Sequence, residues 1–164
     1  MLIYLVRHAW AGHFGDPAWP DDFQRPLTKK GESRFLEVAR ALADLGVCPQ
    51  VIATSPLVRC RQTAEILCRA LGGSPPVVSR EELEPPSDLE GLIGWVQREA
   101  GDLEQVAWVG HAPDVGRLAA GLIGDGSSRI RFSKGAVAAV EFDGSIEVGS
   151  GELRWLVTAK LLGY

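Results

Sequence analysis

The sequence predicts an α/β fold: a three-layer α/β/α sandwich with a mainly parallel central sheet, extended by an antiparallel C-terminal hairpin. Three observations carry this. Apolar runs rich in branched side chains, such as Leu2-Ile3-Tyr4-Leu5-Val6 and Val106-Ala107-Trp108-Val109, suit strands buried on both faces. Segments with helical apolar spacing alternate with these runs over residues 1–123, which implies right-handed crossovers and parallel pairing. From Ala136 onward the pattern is strand and turn only, with Asp143-Gly144 as a tight-turn signal.

The elements follow in order. After the first strand, Trp10 to Asp22 is rich in Gly, Pro, Asp and Trp and reads as a loop over the strand edge; its His13 reads as solvated. Thr28 is a helix N-cap, and the helix runs from Lys29 to Leu45 with Phe35, Leu36, Val38, Ala39, Leu42 and Leu45 on its apolar face, ended by Gly46. Val51 to Thr54 is a short strand. Ser55 is read as the cap, and Pro56 as the first-turn residue, of a helix over 57–71. Val77-Val78 is an edge strand, and Glu81 to Pro86 an acidic loop. A helix capped by Asp88 reaches Glu99. The Val106–Val109 strand runs through Gly110, His111, Ala112 and Pro113 into a helix over 114–123. Ala136 to Phe142 is a strand, Ser145 to Val148 its expected return, and Leu153 to Val157 one strand more. No repeat or linker divides the chain, so residues 1–164 are read as one domain.

Composition excludes several classes. Charged residues make up 23% and apolar ones 46%, the balance of a globular domain rather than a disordered one. No apolar run reaches the ~20 residues of a membrane span. The opening residues lack the basic region and cleavage site of a signal peptide, so the expected location is the cytoplasm and no membrane is expected as a partner. A net charge of −4 is wrong for a nucleic-acid binder, so any anion site is a local cationic pocket on an acidic body. Cys48, Cys60 and Cys68 form no CxxC or Cys/His ligand pair and read as reduced thiols.

Two of the three histidines, His8 and His111, sit just past buried strands, at the edge where open α/β sheets bind ligands. Arg7 precedes the first histidine. Arg59 and Arg61 lie in the first turn of the 57–71 helix and point in different directions, so one can face that edge. Arg25 is within reach. Guanidiniums grip phosphate oxygens through paired hydrogen bonds. No GxxxxGK loop and no acidic cluster for magnesium is present, so side chains alone would handle a phosphoryl group; no metal and no cofactor are expected. A neutral imidazole is a competent nucleophile toward phosphorus if its other ring nitrogen is held as a donor, most simply to a backbone carbonyl.

These residues resemble a known family. Arg7-His8-Ala9 is similar to the Arg-His-Gly signature of the histidine phosphatase (phosphoglycerate mutase-like) superfamily. The run Ser55 to Ala64, with Arg59 ahead of Gln62-Thr63-Ala64, resembles its second signature, and Val109-Gly110-His111 its second catalytic histidine. Within the superfamily the resemblance is to SixA-type phosphohistidine phosphatases, through the small size, Arg25-Pro26-Leu27-Thr28 with Gly31, Glu82-Leu83 followed by Pro85, and His111-Ala112-Pro113. The resemblance implies His8 as nucleophile, Arg7 and Arg59 as phosphate ligands and Arg25 as a further one. His111 would contact the phosphoryl group and help its transition state. Ala9 stands where most of the superfamily has glycine. Glu82 is a candidate proton donor in the region where phosphoester-cleaving relatives keep a carboxylic acid, and Glu84 lies beside it.

The implied activity is a metal-independent phosphatase with a covalent phosphohistidine intermediate. Its expected partner is a phosphohistidine-bearing protein or a small phosphorylated substrate. A phosphatase for small phosphoesters and a non-catalytic phosphoprotein-binding module are the alternatives. The chain has no room for the helical insertions that cap larger relatives, so the site is expected to be open.

Overall fold

The computed structural model describes residues Met1 to Tyr164. In chain order the elements are β1 (Leu2–Arg7), α1 (Lys29–Asp44), β2 (Val51–Thr54), α2 (Val58–Ala70), β3 (Val77–Ser79), α3 (Leu89–Glu99), β4 (Gln105–Gly110), α4 (Asp114–Ile123), β5 (Val137–Glu141) and β6 (Glu152–Val157). One six-stranded sheet has the order β3-β2-β4-β1-β5-β6. The first four strands of that order pair in parallel, while β5 joins β1, and β6 joins β5, antiparallel.

The period of two along β1 divides the core. Ile3 and Leu5 face one way, into a cluster with Trp108, Leu92, Val96, Leu118 and Leu122, which seats α3 and α4. Tyr4 and Val6 face the other way, into a cluster with Phe35, Val38, Leu42 and Leu67, which seats α1 and α2. The result is two helical layers with the sheet between them. Leu5 is fully buried, so truncating it to alanine would cost about 2–5 kcal/mol.

Local signals set most boundaries. The Thr28 hydroxyl accepts from Gly31 N at 3.0 Å, and Asp88 accepts from Gly91 N at 3.0 Å, so both residues cap as their side chains dictate. Gly46 takes φ 83° just past α1. A Cβ on Gly31 would lie 2.2 Å from the Trp10 carbonyl oxygen, so glycine is what lets α1 dock on the loop that follows β1.

Several expectations are corrected. Leu45 is exposed rather than on the packed face of α1, and Pro56 lies outside α2, which starts at Val58. Ser55 does not cap α2: Leu57 is the N-cap residue and makes no side-chain cap bond. The Ser55 hydroxyl is committed to His111 instead, 2.9 Å away. Ser145 to Val148 is not a returning strand; the partner of β5 is Glu152–Val157. The physical reason lies in α4, whose last carbonyls have no intrahelical donor. Gly149 N donates to Gly121 O and Gly151 N to Leu122 O, both at 2.8 Å, while Ile146 is buried in the core. The segment closes the end of a helix rather than extending the sheet. Glu81 to Leu83, read as loop, forms a short 3-10 turn. No helix is long and apolar enough to cross a membrane.

Candidate active site

β1 and β4 are neighbours, with Arg7 opposite Gly110. The residues that follow them, His8 and His111, therefore emerge side by side at the carboxyl edge. Their ring centroids are 5.4 Å apart with planes at 61°. Both are buried.

The two rings are held differently. His8 Nδ1 lies 2.8 Å from the carbonyl oxygen of Ala9. A carbonyl can only accept, so Nδ1 carries the proton and Nε2 keeps its lone pair. The backbone around the ring is fixed from three sides. His8 N donates to Gly110 O at 2.9 Å, Gly135 N donates to His8 O at 3.2 Å, and Ala9 N donates to the Thr63 hydroxyl at 3.0 Å. Thr63 in turn donates to Arg59 O at 2.7 Å, which ties β1 to α2. His111 Nε2 is hydrogen-bonded with the Ser55 hydroxyl at 2.9 Å, and the Cys60 thiol lies 3.4 Å from the same nitrogen.

Burial pushes the His8 pKa down to about 3, with the charges of His111, Arg59 and Arg7 adding to it against the Ala9 hydrogen bond. Burial followed by Arg59 brings His111 down to about 4, with Asp22 pulling the other way. Both imidazoles are neutral at pH 7, the state a nucleophile needs. Burial pushes the Cys60 thiol up to about 12, so it stays protonated.

The guanidiniums complete the ring of groups. Arg7 donates through Nη1 to Phe132 O at 2.8 Å. Arg59, on the first turn of α2, is buried, whereas Arg61 is exposed. Arg59 donates to Asp22 O at 2.7 Å and pairs with the Asp22 carboxylate at 2.9 Å. Arg25 pairs with the other oxygen of that carboxylate at 2.7 Å and donates to Gly12 O at 2.8 Å. The Nε groups of Arg7 and Arg59 are buried and meet no protein acceptor. Such a donor costs roughly 1–3 kcal/mol unless an acceptor reaches it. An oxyanion at this edge would supply that acceptor.

Asp22 is the functional residue that the sequence reading passed over as loop. Burial alone would raise its carboxyl, but Arg25 and Arg59 outweigh that and hold it below the usual carboxylate range. One carboxylate thus fixes two guanidiniums. The available signal was its position three residues before Arg25. The side-chain oxygen of Gln62 accepts from Leu27 N at 2.7 Å and holds the same loop on α2.

Glu82 follows β3 at the same edge, but its carboxylate is taken by a partner outside this group. Arg80 grips its carboxylate through two bonds, at 2.8 and 3.2 Å, and stacks over Trp95 at 5.2 Å. The Arg80 hydrogen bond holds the carboxyl low. Glu82 lines a separate cavity with Ser79, Arg80, Glu81, Pro86 and Asp88, where no histidine stands. His13 is exposed. No group of three or more His, Cys, Asp or Glu is arranged to hold a metal ion.

Neutral paired imidazoles ringed by arginines make a site suited to a phosphoryl group. The comparisons agree. The family described as "Histidine phosphatase superfamily (branch 1)" matches residues 3–141, and the chain belongs to it. That membership makes it an enzyme of the phosphatase class. It is similar to an uncharacterized protein of Picosynechococcus, 43% identical over 120 residues, covering 73% of this chain and 71% of that one. Among solved structures it resembles the protein histidine phosphatase SixA complexed with tungstate: TM-score 0.85, 27% identity, 99% of both chains. It shares its fold with the alpha-ribazole phosphatase of Shigella flexneri, with TM-score 0.74, 19% identity and 97% of both chains covered.

Proposed function

We propose that the protein removes phosphate from phosphohistidine in proteins, through a covalent phosphohistidine at His8. The observation that carries this is the His8 ring. Its Nδ1 proton is committed to Ala9 O at 2.8 Å, which leaves Nε2 as the nucleophile between Arg7, Arg59 and His111. Nε2 attacks phosphorus, the new N–P bond forms, and the substrate's own N–P bond breaks. The departing imidazole is a good leaving group once protonated. Water then attacks the phosphorus on His8, the His8 N–P bond breaks, and orthophosphate leaves. The negative charge spread over the equatorial oxygens is met by the fixed donors of Arg7, Arg59 and Arg25, and by His111.

Two things support the substrate class. The resemblance to SixA runs the length of both chains. Glu82, the carboxylate expected to protonate an alkoxide leaving group, is held ionised by Arg80; a phosphoramidate needs that help less.

The test is phosphate release from a phosphohistidine-bearing protein, from an alkyl phosphate and from p-nitrophenyl phosphate, by wild type, His8→Ala and Glu82→Gln, without added metal. Release from the phosphoprotein that disappears in His8→Ala is the expected result. A strong preference for alkyl phosphates, abolished by Glu82→Gln, would transfer the assignment to small phosphoesters. Tight binding of the phosphoprotein without release would make the chain a binding module.

A further inference from the structure

Two cavities open beside the phosphoryl centre, and both are walled by cations. One, about 620 Å³, runs from Arg7 along the start of α4 to the 126–132 loop, with Arg117, Arg129 and Arg131 in its wall. The other, about 400 Å³, shares Arg7 and Arg131 but reaches Arg34 on α1, Lys134 and Lys160. No Asp or Glu lines either cavity. Since α1 and α4 lie on opposite faces of the sheet, the cations form a strip that crosses the edge on both sides of Arg7.

Most of this charge is unspent. Arg129, Arg131, Lys134 and Lys160 form no ion pair. Arg117 pairs with Asp114 at 3.0 Å, and Arg34 donates to Tyr164 O at 2.7 Å and lies 4.2 Å over the Trp10 ring. The chain as a whole carries −4, so the strip is a local reversal of sign, the arrangement that steers an anionic partner. The wall toward α4 is also closely packed. A Cβ on Gly116 would lie 2.2 Å from the Ile130 carbonyl oxygen, so helix and loop are in backbone contact.

A small molecule with a second anionic group would need only one cavity. Two cationic cavities, meeting at the phosphoryl centre from opposite sides, fit a chain that passes through it. We propose that this strip docks an acidic polypeptide segment, with carboxylate side chains on both sides of the phosphohistidine to be cleaved. This rests on the phosphohistidine reading above and names the kind of protein that bears it.

The experiment uses the full chain and two chemically phosphorylated histidine peptides. One carries Asp and Glu on both sides of the phosphohistidine, and the other Ser and Gln at the same positions. Wild type, Arg129→Ser/Arg131→Ser and Lys134→Ser/Lys160→Ser are compared by the ratio of kcat/KM for acidic over neutral peptide. p-Nitrophenyl phosphate hydrolysis monitors the catalytic centre in each. The expected result is a wild-type ratio of about tenfold or more at low salt, falling as salt screens the strip, and reduced in both double variants. A wild-type ratio near one, or a ratio that both variants keep, overturns the docking strip and leaves the phosphatase reading intact. A preference carried by Arg129 and Arg131 alone, and shared by a sugar bisphosphate, overturns it in favour of a small-ligand subsite. Hydrolysis of p-nitrophenyl phosphate with neither peptide cleaved overturns the phosphohistidine reading, and the strip with it.

Discussion

The ends of β1 and β4 deliver the same side chain to the same place, yet they prepare it for different work. At the end of β1, the His8 ring donates to its own neighbour's carbonyl and keeps Nε2 unshared. At the end of β4, His111 Nε2 is engaged by the Ser55 hydroxyl and the Cys60 thiol. Asp22 raises the pKa of His111, whereas the charges of His111, Arg59 and Arg7 lower that of His8. The difference is one of partner type. A carbonyl fixes the tautomer outright, whereas a hydroxyl can donate or accept and so tolerates a change in the ring's charge. On the proposed mechanism, His8 would bond phosphorus and His111 would follow the charge that bonding creates.

The sharpest way to break the comparison is to delete each ring in turn. His8→Ala should lower kcat by about 10⁴-fold or more. Trapping with radiolabelled substrate should then find no phosphoenzyme. His111→Ala should cost about 10²–10³-fold, the scale of one lost transition-state donor, with labelled His8 still formed slowly. Equal loss and no label in both variants would mean that the two rings act as one unit.

Asp22→Asn tests the side of the site that belongs to His111. Arg25 and Arg59 would lose the carboxylate that fixes both, and KM should rise about tenfold, which is about 1.4 kcal/mol. A fall in KM would reverse the role, making Asp22 a competitor for the arginines.

The smallest effect is on stability. Both histidines ionise far below their unfolded value of about 6.5, at about 3 and about 4. As pH falls through 6.5 the unfolded chain takes up protons that the folded chain refuses, so stability declines with falling pH. The melting temperature should drop between pH 7 and 5. Asp22 and Glu82, whose pKa values are lowered, lose their contribution only at lower pH. A double His8→Asn/His111→Asn variant should show a shallower drop. An unchanged slope would assign the acid sensitivity elsewhere.

What the sequence made legible was local. The burial of β1 and β4, the caps Thr28 and Asp88 and the stop at Gly46 each depend on residues within a few positions, and each can be read from type and spacing. Arg7, His8 and His111 could be brought together on paper because the carboxyl ends of parallel strands share an edge, and Arg59 because the first turn of α2 follows β2 at that edge. Ser55 was misassigned because its partner lies 56 residues away in the chain, and capping was the only role a local reading could offer. Ser145 to Val148 was misread for the same reason: the chain there is held by Gly149 and Gly151, whose carbonyl partners belong to α4. Asp22 was missed because a loop gives no periodicity from which to infer where a side chain points.

The Cys60 thiol beside His111 has a practical consequence for anyone attaching a probe to this protein. Buried and raised to about 12, it offers almost no thiolate to an alkylating reagent at neutral pH. Cys48 is exposed and precedes β2, at the end of the sheet away from the histidines. A maleimide dye or a surface tether therefore goes on at Cys48 and spares Cys60; the competing thiol is Cys68, half-buried on α2 and donating to Pro75 O at 3.3 Å. The catalytic edge stays clear, and substrate docking can be watched by fluorescence without a cysteine-free background.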